Sequence, residues 1–241
     1  MTNLRDILNI PGPKGSDIDD VIVPLKDKIP TYVNIVLGYK LIYKPFMEHD
    51  YVWLALERLK IFEDAGITRD DVSMMLKYME LTGVIENIMP TYDCVKSLKI
   101  LSESDPLYLV TSRGDRFYNN PVEMTNRWLN NVKKNFNDFI IPKVIYNHNK
   151  EEVITDKNIV LLFEDNPLFA LNVLKSQTER NPVYVILFNQ PWNKINLHDH
   201  NILSKELYLE KKLLLEELES YNNKLLFRVN DWSDVLRNLN K

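Results

Sequence analysis

The sequence predicts an α/β protein, a doubly wound parallel sheet that carries a helical insertion. Three short segments are almost purely apolar: residues 107–110, 159–163 and 183–188. Strands without polar alternation suit a parallel sheet covered by helices on both faces, because neither side of such a strand meets water. Segments with helical spacing separate these strands, as right-handed crossovers between parallel strands require. In this fold class the ligand site lies at the carboxyl ends of the strands.

The predicted helices between the strands can be placed individually. Val95, Leu98 and Leu101 fall on one face of a helix. Pro121 suits the first turn of another helix, because a proline there loses no hydrogen bond. Helices are therefore predicted at 91–101, 121–132 and 167–174, and a further strand at 144–146.

Residues 29–87 have a different pattern, which predicts a helical insertion. The segment is rich in aromatic and methionine residues at helical rather than strand spacing. Gly66 and Gly83 are plausible helix ends within it. The core domain would then comprise residues 1–28 and 88–241.

The last forty residues predict a helix, a strand and a helix. Residues 203–221 form a charged amphipathic helix, which we expect to pack against the core or against a partner chain. Residues 225–229 could be a final strand, and Asp231 could cap a final helix.

Composition limits the classes of protein and of partner. The 241 residues are 45% hydrophobic, enough for a full core, and the formal charge of −4 gives no general attraction to nucleic acid or to anionic membranes. Cys94 is the only cysteine, so no intramolecular disulfide can form. No secretory signal or membrane-spanning run is recognisable, and we expect a cytoplasmic protein without nucleic-acid or membrane partners. Association into a homo-oligomer is compatible with this composition.

Two carboxylates stand two residues apart near the N-terminus, at Asp17 and Asp19. In an extended segment the two carboxylates would lie on the same side. There they could bind Mg²⁺ and leave one carboxylate free to attack phosphorus or to move a proton. A solvated acidic turn is the alternative, and this motif alone does not decide between them.

Further polar groups follow the predicted strands. Thr111, Ser112 and Arg113 come directly after the strand at 107–110, where a hydroxyl could bind a phosphate oxygen or cap a helix. Lys150 follows the strand at 144–146 and suits a phosphate as a point charge. Asp165 follows the strand at 159–163 and could complete a metal site.

The order of these motifs resembles the haloacid dehalogenase-like phosphohydrolase superfamily. The chain looks like its 5′-nucleotidase branch, related to the 5′(3′)-deoxyribonucleotidases. The resembling stretches are DIDDVIVPL, LYLVTSRGDRFYNNPVEMTNRWL, NHNK, LLFEDNP and VILFNQPWN, which extend from about residue 16 to about residue 194. Five motifs occur in the family's order, each near a predicted strand end.

The resemblance implies a mechanism and a set of roles. Asp17 matches the nucleophile that becomes an aspartyl phosphate, and Asp19 matches the acid/base residue whose main-chain carbonyl also binds Mg²⁺. Thr111 matches the phosphate-binding hydroxyl, with Ser112 beside it, and Lys150 matches the cation that offsets negative charge. Asp165 matches the remaining Mg²⁺ ligand. The fold implied is a Rossmann-like core with a helical cap at 29–87.

The resemblance also implies a substrate, a nucleoside monophosphate. The cap would close over the site and select the leaving group. Tyr43 and Phe46 are candidates for stacking on a base, and Arg113 for facing the phosphate. Trp192 is expected to pack. Another small phosphate ester, or a nucleic-acid 3′-phosphate, is the alternative substrate.

Residues 11–16, just before Asp17, make a poor strand. The strand could be short and begin within residues 15–18, or the nucleophile could be presented unusually. The third alternative is a diverged, non-catalytic binding or assembly module that uses the helix at 203–221 as its contact surface. Asp20 stands where family members more often have glycine or threonine.

Overall fold

The computed structural model describes residues 3–37, 68–177, 182–195, 203 and 205–239. A six-stranded, entirely parallel sheet runs through the described part in the order β3-β2-β1-β4-β5-β6. In chain order the strands are β1 (Lys14–Ser16), β2 (Leu107–Thr111), β3 (Lys143–Tyr146), β4 (Leu161–Glu164), β5 (Tyr184–Phe188) and β6 (Leu226–Val229). The predicted α/β class with a doubly wound parallel sheet is therefore confirmed.

Helices cover the sheet and connect its strands. They are α1 (Leu4–Leu8), α2 (Ile29–Leu37), α3 (Arg69–Leu81), α4 (Tyr92–Ser102), α5 (Pro121–Asn135), α6 (Lys150–Lys157), α7 (Pro167–Ser176), α8 (Lys205–Glu219) and α9 (Trp232–Leu239). Short 3₁₀ turns lie at Leu25–Asp27, Ile85–Asn87 and Pro191–Asn193. The predicted helices at 91–101, 121–132 and 167–174 correspond to α4, α5 and α7.

Buried apolar side chains lie on both faces of the sheet, which explains why its strands lack polar alternation. Along β4, Leu161 and Phe163 belong to one buried cluster, whereas Leu162 belongs to the other. The alternation of side chains along a strand sends neighbouring residues to opposite faces. Because each face is covered by helices, all three positions must be apolar.

The central strand β1 is only three residues long, and non-local contacts stabilise it. Lys14 is 3% exposed, and its Nζ donates to Asp105 Oδ2 at 2.9 Å and to the Gly12 carbonyl at 3.2 Å. A Cβ at Gly15 would stand 3.2 Å from Ile159 Cδ1 and from Leu162 Cδ1, so glycine allows a close approach of neighbouring side chains. A strand of the sequence Lys-Gly-Ser therefore occupies the middle of the sheet.

The part of the predicted cap that the structure describes contains α2 and α3, which pack against each other. The rings of Tyr32 and Tyr78 meet with their centroids 6.3 Å apart. Gly83 follows α3 with φ +69°, a left-handed conformation that favours glycine at a helix end, as predicted. Residues 38–67, including Gly66, lie outside the described residues, and the domain boundaries at 28/29 and 87/88 stay predictions.

The C-terminal elements complete the core. Helix α8 packs against α7 and buries Leu215 and Leu218, so the helix predicted at 203–221 packs on the core. Oδ1 of Asp231 accepts the backbone N–H of Ser233 at 2.8 Å, which confirms the predicted cap of α9. Among the described residues, no helix combines the length and the apolar character that crossing a bilayer requires. The cytoplasmic location stays a prediction.

Candidate active site

Four of the predicted functional residues follow or end neighbouring strands at one edge of the sheet. Asp17 follows β1, Thr111 ends β2, Asp165 follows β4, and Lys150 begins α6 after β3. Because all strands are parallel, these carboxyl ends share one edge, and loops there converge.

Lys150 joins two of these strand ends. Its Nζ lies 2.9 Å from Asp17 Oδ1 and 2.7 Å from Glu164 Oε2, and it stands 4.7 Å from the ring centroid of Phe169. Only 1% of Lys150 is exposed. Burial lowers the pKa of Lys150, but the carboxylates of Asp17 and Glu164 more than offset this and hold it above its ordinary value. The side chain is therefore an ammonium at neutral pH.

Three buried carboxylates lie together here, and two of them, Asp17 and Glu164, contact the ammonium. Asp17, Glu164 and Asp165 each offer an oxygen within 4.8 Å of the others. Burial raises the pKa of Asp17 to about 7, helped by Glu164 and opposed by Lys150. Burial, with the charges of Glu164 and Asp17, also raises the pKa of Asp165. When all three are ionised, three carboxylates against one ammonium leave an excess of negative charge, which a divalent cation would offset.

The hydrogen bonds of these carboxylates show which oxygens could hold a cation. Oε1 of Glu164 accepts the backbone N–H groups of Asp165 at 3.2 Å and Asn166 at 3.1 Å, while its Oε2 accepts from Lys150. Both oxygens of Glu164 are thus used within the protein. Oδ2 of Asp165 accepts from Trp192 Nε1 at 3.0 Å. Within the described residues, Oδ1 of Asp165 accepts no hydrogen bond and remains for a cation, and Oδ2 of Asp17 also accepts none.

This donor set fits Mg²⁺. Carboxylate oxygens are the ligands that Mg²⁺ prefers, and it usually binds through one or two of them together with water and substrate phosphate. Asp17 and Asp165 supply such a pair, and Glu164 positions Lys150. The carboxylate of Asp19 is outside this cluster. Its expected contribution through the main-chain carbonyl stays a prediction.

Asp19 is held by Arg113 in a two-point ion pair. Nε of Arg113 donates to Asp19 Oδ2 at 2.9 Å, and Nη2 donates to Oδ1 at 2.6 Å. Nη1 donates to Thr125 Oγ1 at 3.0 Å, and the guanidinium carbon lies 6.0 Å from the ring centroid of Trp128. Arg113 is 5% exposed. The sequence suggested a phosphate-facing Arg113, whereas in the structure its guanidinium binds the proposed acid/base residue.

The two hydroxyls after β2 differ in their surroundings. Ser112 lines a cavity of about 210 Å³ that also includes Asp17, Asp19 and Asp165. Thr111 is 1% exposed, is not part of the cavity wall, and accepts the backbone N–H of Arg113 on Oγ1 at 3.3 Å. The structure therefore places Ser112, but not Thr111, on the wall of this cavity. A phosphate-binding role for Thr111 stays a prediction.

The cavity has an acidic edge and an edge of rings. Four rings line it, those of Phe117, Tyr118, His148 and Phe169. The predicted base-stacking residues Tyr43 and Phe46 lie outside the described residues. In the described part of the chain, the rings that line the cavity therefore lie outside the segment predicted to form the cap.

Asp20 occupies a left-handed turn directly after the DxD segment. Its φ is 56°, a region that aspartate tolerates better than most residues. Its backbone N–H donates to Val23 O at 2.7 Å, and its carbonyl accepts Gln190 Nε2 at 2.9 Å. Oδ1 of Asp20 accepts the backbone N–H of Lys26 at 2.9 Å. The turn is therefore closed by hydrogen bonds although no glycine is present.

Comparison with known proteins identifies the fold. No protein-family model matches the sequence. A haloacid dehalogenase-like family hydrolase of Streptococcus pneumoniae superposes with a TM-score of 0.52 at 12% identity, covering 95% of this chain and 97% of that one. A phosphonoacetaldehyde hydrolase-like protein of Oleispira antarctica gives 0.50 at 11% identity, covering 95% and 93%. The chain has the haloacid dehalogenase-like fold.

One protein of known sequence resembles this chain over most of its length. The Bacillus subtilis protein named "Putative nucleotidase YqfW" is 27% identical over 196 residues, which is 81% of this chain and 89% of the relative. The resemblance seen in the five sequence motifs is therefore confirmed.

Several residues of the site carry no clear signal in the sequence. Trp192 is buried, as its expected packing role requires, but its ring N–H also binds Asp165. Asn193 Nδ2 donates to the Asp165 carbonyl at 2.8 Å and to the Phe188 carbonyl at 2.7 Å. Tyr118 lies five residues past Arg113, and nothing in the local pattern distinguishes it from a core tyrosine. Of these residues, Trp192 and Asn193 lie in one of the resembling motifs, VILFNQPWN.

Proposed function

We propose that this chain is a Mg²⁺-dependent phosphomonoesterase that acts on nucleoside 5′-monophosphates through an aspartyl-phosphate intermediate. The observation that carries the proposal is the buried group of Asp17, Glu164 and Asp165 around Lys150, on the wall of an open cavity. The haloacid dehalogenase-like fold and the relative named as a nucleotidase support the same chemistry. The general proposal is hydrolysis of small phosphate esters, and the specific proposal is that the ester is a nucleoside monophosphate.

Asp17 is the proposed nucleophile. Lys150 holds Oδ1 at 2.9 Å, which leaves Oδ2 to attack phosphorus. A bond forms between Oδ2 and phosphorus while the bond between phosphorus and the alcohol oxygen breaks, and the alcohol leaves with a proton from Asp19. Water then attacks the phosphorus of the aspartyl phosphate, gives a proton back to Asp19, and releases phosphate and the Asp17 carboxylate.

The bound cation would supply electrostatic stabilisation of the transferring phosphoryl group, held by Asp17 and Asp165. Trp192 fixes the orientation of the Asp165 carboxylate through Oδ2. Glu164 fixes Lys150 and so keeps its ammonium beside the nucleophile. In phosphoryl transfer most of the rate acceleration comes from positioning and electrostatics, which these contacts provide.

Arg113 orients the proposed acid/base residue. Both oxygens of Asp19 accept from the same guanidinium, so the carboxylate plane is fixed relative to Ser112 and the cavity. Delivery of a proton from Asp19 then requires a rearrangement that frees one of these oxygens. We propose that substrate binding provides it, since a phosphate oxygen is an alternative acceptor for the guanidinium.

The test is release of phosphate from nucleoside monophosphates and p-nitrophenyl phosphate, with and without Mg²⁺. We expect turnover that requires Mg²⁺, is abolished in Asp17→Asn, and needs more Mg²⁺ in Asp165→Asn. Asp156→Asn is the matched control, because Asp156 is an exposed carboxylate of α6. Absence of turnover from the folded wild-type protein with every ester would contradict the proposal and leave the non-catalytic module.

A further inference from the structure

One side chain of the cavity is not used by the chemistry described above. Tyr118 is 2% exposed and lines the same cavity as Asp17, Asp19 and Arg113. Its hydroxyl oxygen is buried and has no hydrogen-bond partner among the described residues. Buried hydroxyls in folded proteins nearly always have a partner, because an unpaired one loses its hydrogen bond to water without replacement.

The position of Tyr118 is fixed by the loop that carries it. The backbone N–H groups of Phe117 and Tyr118 donate to the Gly114 carbonyl at 3.0 and 3.2 Å. The tyrosine is therefore held in a hydrogen-bonded turn directly after Arg113, and its lack of a partner does not come from a loose loop.

Helix α3 holds the end of this loop. The buried carboxylate of Glu80 accepts the backbone N–H of Asn119 at 2.5 Å and that of Asn120 at 2.7 Å. Asn120 precedes α5 and provides no side-chain cap to it, so Glu80 supplies the negative charge at that helix end. Ser73 of α3 donates to the Arg116 carbonyl. These contacts keep Tyr118 in place before any ligand arrives.

The hydroxyl of Tyr118 can act only as a neutral donor or acceptor here. Burial raises the pKa of Tyr118 well above its ordinary value, and the charge of Asp19 adds to this. The oxygens of Asp19 are both bound to Arg113, and those of Glu80 bind backbone N–H groups. A ligand in the cavity that Tyr118 lines could supply the acceptor that the phenolic O–H lacks among the described residues.

Resting on the phosphomonoesterase function, we propose that Tyr118 is a specificity residue. Its hydroxyl donates a hydrogen bond to an oxygen of the alcohol portion of the substrate, on the side of the cavity where Asp19 protonates the leaving group. Phosphate esters of sugars, such as nucleoside monophosphates, carry such oxygens, and esters of apolar alcohols do not. A site that binds a substrate oxygen in this way discriminates against analogues that lack it.

The experiment compares Tyr118→Phe with the wild-type protein, using a nucleoside 5′-monophosphate and phenyl phosphate as substrates. We expect the ratio of kcat/KM for the nucleotide to that for phenyl phosphate to fall about tenfold, as the loss of one hydrogen bond predicts. Tm should not fall, since the variant removes an unpaired buried hydroxyl. Tyr146→Phe is the matched control, because the Tyr146 hydroxyl is also buried without a partner among the described residues but is not part of the cavity wall.

Each other result overturns the inference. If Tyr118→Phe changes kcat/KM for both esters equally or for neither, Tyr118 does not contact the leaving group. If its Tm falls well below that of Tyr146→Phe and both activities fall alike, the hydroxyl has a structural role. If the wild-type protein hydrolyses no ester, the proposed function fails by itself. In that case the affinity for the nucleotide, measured by calorimetry, decides the inference. The inference requires that Tyr118→Phe binds the nucleotide more weakly than the wild-type protein. Equal affinity, or no binding to either protein, overturns it.

Discussion

The ammonium of Lys150 lies 2.9 Å from the Oδ1 atom of Asp17, and this contact joins the start of helix α6 to the end of the central strand β1. Both groups are buried, and their pairing is incomplete because Glu164 and Asp165 add two more carboxylates. Burial and the neighbouring carboxylates raise the pKa of Asp17 and of Asp165, so ionising all three carboxyls without a ligand is unfavourable. A divalent cation would stabilise their ionised forms.

Replacing the central ammonium should abolish most of the activity. In Lys150→Met the three carboxylates lose their cation, and we expect kcat to fall about 10²- to 10³-fold, the size of effect seen when one electrostatic contact to a transition state is lost. Steady-state phosphate release in saturating Mg²⁺ measures this. Lys157→Met removes the same charge from the other end of α6 and should change kcat less than twofold. A Lys150→Met variant within a factor of ten of wild type would contradict the role given to this residue.

Replacing the two-point contact between Arg113 and Asp19 by a single contact should slow the reaction without unfolding the protein. Arg113→Lys keeps the positive charge but cannot bind both oxygens of Asp19 in the same plane. We expect kcat to fall about 10- to 100-fold, as for other catalytic groups displaced by an ångström, with a changed pH profile. Arg127→Lys alters a half-exposed pair with Glu86 and should be silent. Unchanged kcat and pH profile in Arg113→Lys would show that Asp19 needs no orientation by Arg113.

The central strand should depend on one distant ion pair. Asp105→Asn removes the charge that faces the buried Lys14 ammonium, and we expect a loss of about 2–4 kcal/mol in the free energy of unfolding. The exposed pair of Lys99 and Asp138, at 3.3 Å, gives the control, and Asp138→Asn should cost less than about 0.5 kcal/mol. Urea unfolding measures both. Equal stability of the two variants would mean that the Lys14–Asp105 contact does not stabilise β1.

A buried lysine far from the site should make stability depend on pH. Burial lowers the pKa of Lys211 in α8 to about 7, whereas the unfolded chain keeps the ordinary value of 10.5. Between these values the unfolded state binds the extra proton, so stability rises with pH through this window, and the penalty is complete below pH 7.

Lys211→Met should therefore raise Tm most at pH 6, by about 4 °C or more, and by a decreasing amount as the pH approaches 10.5. Thermal unfolding from pH 6 to 10 gives the comparison, with Lys212→Met as the control for an exposed neighbour in the same helix. A gain in Tm that does not vary with pH would show that the pKa of Lys211 is not lowered.

Most of the strands and the main site residues could be predicted because their signals are local. Apolar runs identified β2, β4 and β5, and a polar residue at the end of each run indicated the edge where ligands bind. The alternation of buried faces then followed from parallel geometry. Lys150 and Asp17 could be placed near each other because both follow strands whose carboxyl ends lie at the same edge of the parallel sheet.

The features that could not be predicted from the sequence depend on contacts between residues that are distant along the chain. The sequence of β1 does not look like that of a buried strand. The strand forms because Asp105 balances the charge of Lys14 and because Ile159 and Leu162 fill the space beside Gly15. The pair of Arg113 and Asp19 similarly joins two loops, and no spacing along the chain indicates it. Of the three alternatives for the segment before Asp17, the structure has a short strand, which begins at Lys14, one residue before the predicted range.

The most direct test of the central claim is to look for the covalent intermediate on Asp17. The wild-type protein would be mixed with a nucleoside monophosphate and Mg²⁺, quenched in acid, digested, and examined by mass spectrometry. The account predicts a phosphoryl group on the peptide that contains Asp17, and none in Asp17→Asn. Rapid turnover with no phosphorylated peptide at any quench time, or a phosphoryl group on another residue, would contradict it.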